Sequence, residues 1–437
     1  MRVGARMSAA IEIIDAIDRE HRPASLVLAE WGRSRRFAGS GDRAAIGSLV
    51  FDVLRRRRSL AAKMHSDTPR ALVLAAALKT FSMSPAAVAE AIGEGERHAP
   101  APLSDDEAIR LAGDLPGDVS EDIRADIPEW LLPSFSRAFG ERLVVEGQAL
   151  SLRAPVDLRV NTLKADHDKV LKALARFDAS PTPYASNGVR ISPPQGAARP
   201  PNVEADAAHG KGWFEVQDEG SQIAAALTGA GPRQQVLDLC AGAGGKTLAL
   251  AAAMQNTGQI YAYDTERQQL RPMFERLKRA GARNVQVMEG GEREALMGLG
   301  PRFDVVLADA PCTGSGTWRR RPDTKWRLKP EALEQRILDQ KAVLADAAAL
   351  VKPGGRIVYV TCSVLPEENI DQVQDFLGNH QDFKLLPFAD AWRHAFDSEP
   401  PQSAVSEQLG GTTLQLTPAM HQTDGFFIAI IERSVVA

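Results

Sequence analysis

The sequence predicts an α/β protein with a mainly parallel sheet, preceded by a helical region and a small α+β region. Apolar residues recur every three or four positions from residue 7 to about 130, which is the period of an amphipathic helix. Short strand-like runs and a helical run are mixed between residues 131 and 212. From residue 213, apolar runs of strand length alternate with helical runs, which is typical of a parallel sheet covered on both faces.

Composition predicts a globular protein of the cytoplasm. The 437 residues are enough for two or three domains, and 44% hydrophobic and 25% charged residues are ordinary values. Three cysteines make no disulfide framework and lack the spacing of a zinc site, so no metal is predicted and a reducing compartment is expected. No run approaches the ~18 apolar residues of a membrane span, so membrane insertion and secretion are not expected.

The amino-terminal helical region carries an excess of positive charge. Residues 1–70 hold 14 Lys and Arg against 8 Asp and Glu, although the whole chain has a net charge of −4. A basic end is compatible with a polyanion partner, and a solvated charged surface is the alternative. Within this region, Ile11, Ile14 and Ile17 recur at helical spacing, and residues 71–78 form an apolar run typical of a buried helix.

In the small α+β region, a strand is predicted around Leu158 and Val160, followed by a helix from about Asp166 and a strand in residues 187–194. In the α/β region, the tail segments 412–418 and 425–434 are predicted to pair as an antiparallel ribbon at the sheet edge. The runs that predict the other strands are residues 235–240, 258–264, 282–289, 303–310 and 355–363.

A glycine-rich loop follows the first predicted strand of the α/β region. Glycines let a backbone turn sharply and approach a ligand, and the following helix offers unpaired N–H groups. The glycine spacing of a P-loop is not met, and Asp264 closes the next strand where ribose hydroxyls are commonly bound. This pattern favours a nucleoside-containing cofactor, S-adenosylmethionine ahead of a nicotinamide. A plain strand-end cap is the alternative for Asp264.

The three cysteines all fall at the carboxyl ends of predicted strands, where ligands bind in such sheets. Buried cysteines are usually inert, but that reading does not predict this placement of Cys240, Cys312 and Cys362. A reactive thiol needs a pKa below about 8.5, which positive neighbours or helix ends provide. Lys246, Lys325 and the helix beginning near Pro366 are in suitable sequence positions to do so.

Four segments carry a family resemblance: LDLCAGAGGKT (237–247), DAPCTGSGTWRRRPDTKW (309–326), YVTCSVLPEEN (359–369) and HQTDGFF (421–427). In these segments the chain resembles the RNA cytosine-5 methyltransferases of the NOL1/NOP2/Sun family, and most of all the bacterial enzymes that act on 16S rRNA. The helical region, chiefly DRAAIGSLVFDVLRRRRSL (42–60), resembles a NusB-like RNA-binding domain. The segment DLRVNTLK (157–164) resembles the family's small RNA-recognition-like domain.

The resemblance implies three domains: a NusB-like domain over 1–130, an RNA-recognition-like domain over 131–212 and a Rossmann-like methyltransferase domain over 213–437. It implies a monomeric enzyme that transfers a methyl group from S-adenosylmethionine to C5 of a cytosine in single-stranded or loop regions of 16S rRNA, with no DNA partner. A target in tRNA or another rRNA is an open alternative. So is a non-catalytic RNA-binding assembly factor.

The resemblance also implies roles for individual residues. Cys362 would attack C6 of cytosine, Cys312 would assist release of the product, and Asp309 would hydrogen-bond the ring, with Lys246 completing the catalytic set. The rival arrangement is that of DNA cytosine-5 methyltransferases, in which the Pro-Cys thiol is the nucleophile. That arrangement would assign the attack to Cys312.

For the cofactor, the resemblance implies a binding stretch that contains Ala243 where family members usually have proline. The acidic residue expected near the adenine falls on Gly291, so Glu289 or Glu292 is the alternative. The cofactor-binding residues are then Cys240, Ala241, Gly242, Ala243, Gly244, Gly245, Lys246, Asp264, Arg267 and Asp309. Cys240 is also expected to pack beneath this loop.

Basic and aromatic residues that follow the Pro-Cys motif are predicted to contact RNA. Phosphate contacts and base stacking hold single-stranded RNA in a cleft. A cytosine must leave any helix to reach a thiol, so single-stranded or loop RNA is the expected substrate. The residues are Arg319, Arg320, Arg321, Lys325 and Trp326, for which a solvated basic loop is the alternative.

Overall fold

The computed structural model describes residues 1–93, 97–199, 201–288, 293–405 and 411–435. Its amino-terminal part is helical, as predicted, and the helices continue beyond residue 130 to Leu150. Short 3-10 turns at Glu129–Leu131 and Gly140–Arg142 separate the last of them. The helices are α1 (Val3–Glu20), α2 (Ala24–Ser34), α3 (Ser40–Arg55), α4 (Arg57–Met64), α5 (Pro69–Thr80), α6 (Pro85–Ala91), α7 (Asp105–Ala112), α8 (Glu121–Ala125), α9 (Leu132–Phe139) and α10 (Leu143–Leu150).

Helix α5 forms the centre of the helical region. It begins with Pro69 in its first turn, and the Thr68 hydroxyl accepts a hydrogen bond from the Ala71 amide, so the helix start is capped. Residues 71–77 are at most 5% exposed and pack with the apolar face of α1. Among the described residues no single helix has the length and hydropathy to cross a bilayer; α5 and α6, bent by 119°, meet that test only as a pair.

The small α+β region contains an antiparallel sheet with strand order β2-β3-β1-β4. Its predicted strands and helix are confirmed: Asp166 caps the helix by accepting from the Lys169 amide at 2.8 Å. The fourth strand, which pairs with the first, comes from residues after 212. The elements are β1 (Val156–Val160), α11 (His167–Ala173), β2 (Ser180–Pro181), β3 (Gly188–Ile191), α12 (Ala207–Gly210) and β4 (Phe214–Val216).

The α/β region is built on an eight-stranded mixed sheet covered by helices on both faces. Its strands are β5 (Gln235–Asp238), β6 (Gln259–Ala262), β7 (Val285–Val287), β8 (Phe303–Asp309), β9 (Val351–Thr361), β10 (Phe383–Leu386), β11 (Leu414–Leu416) and β12 (Phe426–Arg433). Its helices are α13 (Glu219–Ala226), α14 (Gly245–Ala253), α15 (Arg267–Ala280), α16 (Arg293–Met297), α17 (Pro322–Arg327), α18 (Pro330–Leu350), α19 (Ile370–Asn379), α20 (Phe388–Ala395) and α21 (Pro418–His421).

The sheet order is β10-β12-β9-β8-β5-β6-β7, with β11 also paired to β12. Strands β5 to β9 are mutually parallel, which confirms the predicted parallel core, and their carboxyl ends meet at one edge. The predicted ribbon of β11 and β12 is confirmed as an antiparallel pair. Sequence reasoning missed β10, which pairs with the same side of β12 as β11 does.

Lys325 and Trp326 of α17 join the helical region to the α/β region. Lys325 is fully buried, and burial lowers its pKa to about 8 although Asp126 opposes this shift. The Trp326 indole donates to the Leu54 carbonyl at 2.5 Å. The Lys325 ammonium donates to the carbonyl oxygens of Arg55 (3.1 Å) and Asp126 (2.8 Å) and to the Ser151 hydroxyl (2.9 Å). The expectation that Lys325 faces the thiols and RNA is therefore wrong, because its ammonium is bound within the domain junction. Trp326 is half-buried at this junction, and its contact with RNA stays a prediction.

Arg319 and Arg320 also have structural partners. Both form ion pairs with Asp218 and Asp424, and Arg319 is only 4% exposed. Buried guanidinium groups need such partners because an unpaired buried charge is very costly. Arg319 is therefore not available for the predicted RNA contact, whereas Arg321 is exposed.

We expect Lys325→Met to lower the free energy of unfolding by about 2–4 kcal/mol, because three buried acceptors lose their donor. Urea denaturation measures this loss. Lys329→Met, four residues further on at an exposed position, is the matched control and should change stability by less than about 0.5 kcal/mol. Equal stability of the two variants would contradict the junction described above.

Candidate active site

The predicted cofactor loop, residues 241–246, connects β5 to α14. Gly242 and Gly244 have φ angles of +50° and +82°, a left-handed conformation that glycine adopts without strain. A Cβ atom at Gly244 would lie 2.7 Å from Cγ of Met273, so the loop packs closely on α15. The Ala243 carbonyl accepts from the Arg276 guanidinium at 2.8 Å. The alanine in place of the usual proline is thus accommodated in a turn that α15 holds.

Asp264 follows β6 and fastens this loop. One carboxylate oxygen accepts from the Gly242 amide at 2.9 Å and the other from the Glu266 amide at 2.8 Å. The strand-end cap considered for Asp264 is thus present. Each carboxylate oxygen has a second lone pair, so these bonds leave acceptor capacity for a ribose hydroxyl. Arg267 begins α15 three residues later and is exposed.

Lys246 and Asp309 form the charged centre of the site. The Lys246 ammonium donates to Asp309 at 2.6 Å, and it lies 5.3 Å from the centre of the Phe426 ring. Burial alone would lower the pKa of Lys246, but the charge and hydrogen bond of Asp309 raise it above the ordinary value. Lys246 is therefore a fixed positive charge at neutral pH.

The thiols of Cys312 and Cys362 meet at the ends of β8 and β9. Their sulfur atoms are 3.4 Å apart, both residues are half-buried, and neither is in a disulfide. The hydrogen bond with Cys362, followed by burial, raises the pKa of Cys312 well above its ordinary value. The two thiols converge, as predicted. Of the two lysines expected near them, Lys246 interacts with Cys362, whereas Lys325 is bound at the domain junction.

Cys240 and Asp238 lie at the end of β5, under the loop. Cys240 packs on the core of the sheet, and its burial, together with nearby carboxylates, raises its thiol pKa well above the ordinary value. Burial raises the pKa of Asp238 to about 7, even though Thr247 donates to it at 2.7 Å. The second oxygen of Asp238, Oδ1, is buried and has no hydrogen-bond partner in the described part of the chain.

Two acidic residues of the site were not singled out from the sequence. Asp238 could have been found from its position at the end of the first strand, beside the glycine loop. Glu368 is fully buried near the thiols and lies within the segment 359–369 that carried the family resemblance. The adenine contact expected at Gly291, with its alternatives Glu289 and Glu292, lies outside the described residues.

Comparison with known proteins gives consistent matches. Residues 226–432 match the family described as 16S rRNA methyltransferase RsmB/F. Residues 127–197 match the ferredoxin-like domain described as RsmF/B-like. A Synechocystis sp. protein named probable ribosomal RNA small subunit methyltransferase B is 33% identical over 313 residues, which are 70% of this chain and 67% of that relative.

Two solved structures each resemble about seven tenths of the chain. A methyltransferase homolog protein from Pyrococcus horikoshii is 29% identical, with a TM-score of 0.59, over 72% of this chain and 98% of the other. NSun6 from Pyrococcus horikoshii, crystallised with SFG, is 22% identical, with a TM-score of 0.61, over 71% and 99% of the two chains. At 22% identity, the similarity to NSun6 shows a shared fold only.

The α/β sheet, the loop after its first strand and these structural relatives define a methyltransferase of the Rossmann-like class. The matched residues narrow the assignment further. The chain belongs to the RsmB/F family of 16S rRNA methyltransferases. The family resemblance predicted from the four sequence segments is thereby confirmed.

We expect Gly244→Ala to reduce the free energy of unfolding by about 1–3 kcal/mol, because a Cβ is strained at positive φ and crowds Met273. Thermal or urea denaturation measures the loss. The matched control is Gly117→Ala, where a Cβ would meet nothing within 4 Å and φ is not positive. A Gly244→Ala variant as stable as the control would show that the loop does not need this conformation.

Proposed function

We propose that the protein transfers a methyl group from S-adenosylmethionine to C5 of a cytosine in 16S rRNA, through a covalent adduct between Cys362 and C6. The observation that carries this proposal is the 3.4 Å separation of the Cys312 and Cys362 sulfur atoms. Two thiols in contact can act on adjacent atoms of one pyrimidine ring. The Lys246–Asp309 pair supplies the charges that such a ring needs.

The residues around the glycine loop suit S-adenosylmethionine, which when bound supplies an activated methyl group. The amides of Ala243 and Gly245 and the Asp264 carboxylate offer hydrogen bonds for its polar ends, and Arg267 lies at the same edge. The amides of Ala241, Gly242 and Gly244 already donate within the protein. The unpartnered buried oxygen of Asp238 fits a polar ligand group at this place. Family membership supports the choice of this cofactor over a nicotinamide.

The chain's own residues then divide the reaction. Cytosine C5 is a weak nucleophile, so the Cys362 thiolate first adds to C6 and moves electron density toward C5 and N3. Asp309 accepts a hydrogen bond from the exocyclic amino group of the ring, and the positive charge of Lys246 beside it stabilises the negative charge that develops at N3. The adduct turns the Cys362 thiolate into a neutral thioether, so Cys312 no longer faces a negative sulfur and releases its own proton to solvent. Once C5 is methylated, the Cys312 thiolate takes the C5 proton. The C5–C6 double bond re-forms as the bond from C6 to Cys362 breaks, which returns Cys362 as a thiolate.

The rival arrangement makes Cys312 the nucleophile. Two observations favour Cys362 instead. The Lys246 ammonium interacts electrostatically with Cys362, and a positive neighbour favours a reactive thiol. The raised pKa of Cys312 keeps its proton in place at neutral pH, so it is the poorer nucleophile in the free enzyme. We therefore assign attack to Cys362 and proton removal to Cys312.

The proposed substrate is a cytosine of 16S rRNA in the cytoplasm. Family membership favours it over tRNA, another rRNA or a non-catalytic assembly role, and both thiols, Lys246 and Asp309 are retained in reacting positions. The NusB-like, RNA-recognition-like and catalytic domains, over 1–130, 131–212 and 213–437, form part of this proposal. Bisulfite mapping of rRNA from cells with and without the gene tests it: one 16S cytosine should lose its methyl group, and an unchanged 16S map contradicts it.

A basic cleft between the helical and α+β regions is the proposed RNA surface. It has a volume of about 610 Å³, and its lining includes Phe51, Arg43, Arg153 and Arg199. Arg43 and Arg199 are exposed, so both can reach phosphates. Because Lys325 and Trp326 bind the helical region, deletion of residues 1–130 would uncover apolar surface. Point substitutions in the cleft are the better test.

We expect Cys362→Ala to abolish methylation, by roughly a thousandfold or more, because no adduct forms. Cys312→Ala should instead trap protein on RNA, since the adduct forms but loses its base. Tritium transfer from labelled cofactor and denaturing gels measure the two outcomes. The double variant is the control and should give no adduct. A slow-migrating adduct with Cys362→Ala and none with Cys312→Ala would support the rival arrangement.

We expect Arg43→Glu combined with Arg199→Glu to weaken RNA binding about tenfold at roughly 0.1 M salt and to reduce the salt dependence, because two phosphate contacts are lost. Affinity for S-adenosylmethionine should not change. Arg19→Glu combined with Arg393→Glu makes the same charge change at side chains 68% and 58% exposed outside the cleft. Equal weakening by both pairs would remove the cleft from the proposal.

A further inference from the structure

Glu368 is fully buried, and its carboxylate bonds to the neighbours of both thiol residues. It belongs to a short 3-10 turn, Pro366–Glu368, that follows the Cys362 segment. Its carboxylate accepts hydrogen bonds from the residue after each reacting cysteine. The donors are the Thr313 amide (2.7 Å), the Thr313 hydroxyl (2.5 Å), the Ser363 hydroxyl and the Gln340 side-chain amide (3.1 Å).

These bonds tie two separate loops to one group. Thr313 follows Cys312 at the end of β8, and Ser363 follows Cys362 at the end of β9, fifty residues later in the chain. A second link joins the same loops, because the Ser315 and Ser363 hydroxyls are 2.9 Å apart. Among the described residues, Glu368 is the only acceptor that bonds to both Thr313 and Ser363.

The donor set favours a charged carboxylate. Burial raises the pKa of Glu368, but the hydrogen bonds from Ser363, Thr313 and Gln340 oppose that shift by stabilising the anion. An acceptor with this many donors is typical of an ionised carboxylate. The negative charge is therefore held close to the thiols without contact with solvent.

Glu368 makes two hydrogen bonds with the residue after Cys312, through the amide and hydroxyl of Thr313, and one with the residue after Cys362, through the Ser363 hydroxyl. Besides the hydrogen bond with Cys362 and burial, Glu368 raises the pKa of Cys312. Burial, and then the charges of Cys312 and Glu368, raise the pKa of Tyr359, whose hydroxyl donates to the Glu368 carbonyl at 2.6 Å. On the other side of the pair, Lys246 interacts with Cys362. Cys312 thus interacts with a negative carboxylate and Cys362 with a positive ammonium.

We propose that Glu368 is a positioning residue that selects the nucleophile: it holds the two thiol loops together and keeps the shared proton on Cys312, so that Cys362 reacts first. This inference rests on the proposed function, in which Cys362 attacks cytosine. Because the two sulfur atoms are in contact, a proton can be shared between them without any further acid or base. A proton on Cys312 can be donated toward the Cys362 thiolate, and the pair then carries one negative charge.

The test is competitive alkylation of the intact protein with iodoacetamide, followed by mass spectrometry of the peptides that contain each cysteine. In Glu368→Gln, labelling of Cys312 relative to Cys362 at pH 7.5 should rise about tenfold, because one pKa unit is a factor of ten. A general loosening of the fold would raise both labels and leave the ratio unchanged. Glu368→Asp keeps the charge and should keep the ratio within about twofold of the wild-type value.

The wild-type protein provides a second readout that needs no variant to fold. Labelling of Cys312 against pH should have its midpoint well above the ordinary thiol value of about 8.5. A midpoint at the ordinary value, or an unchanged labelling ratio in folded Glu368→Gln, overturns the inference. Neither assay uses RNA or methyl donor. A wild-type protein that methylates no cytosine would instead refute the proposed function, whatever the thiol labelling shows.

Discussion

The site depends on the contact between two sulfur atoms delivered by neighbouring parallel strands. Strands β8 and β9 are in register, with Asp309 opposite Val360, so both chains leave the sheet at the same edge. Cys312 lies in the turn that follows β8, Cys362 directly follows β9, and their sulfur atoms are 3.4 Å apart. The Gly316 amide donates to the Cys362 carbonyl at 2.9 Å and holds this turn. A Cβ at Gly316 would lie 2.1 Å from the Gly425 carbonyl oxygen, so no residue other than glycine fits there.

Buried charges surround this contact and determine what each group can do. The Lys246–Asp309 ion pair and the buried carboxylate of Glu368 lie near the thiols, and Arg319 is paired with Asp424. Buried ion pairs are weak contributors to net stability, because desolvation offsets the attraction between the charges. Here they orient the loops and influence which groups are protonated, because electrostatic interactions are strong in a buried site.

The sequence was sufficient for much of the fold and for the thiols. Alternating apolar runs and the parallel-sheet rule bring Cys312 and Cys362 to one edge, and no further information was needed. The exposure of basic residues could not be predicted in this way. In the sequence, Lys325 resembles a surface RNA contact, but it is buried because α17 packs on the helical region. The role of Glu368 is visible only when loops fifty residues apart are seen to share its carboxylate.

The most direct test of the account uses a short RNA in which the target cytosine carries fluorine at C5. In this RNA, C5 carries fluorine in place of the hydrogen that the base removes. Because fluorine cannot leave as a cation, the elimination is blocked and the adduct persists on the attacking sulfur. Digestion and mass spectrometry then locate the nucleotide. The account predicts that it is attached to the peptide containing Cys362 in the wild-type protein, with methyl donor present. Attachment to Cys312, or no attachment to either thiol in a protein that methylates the unmodified RNA, would contradict it.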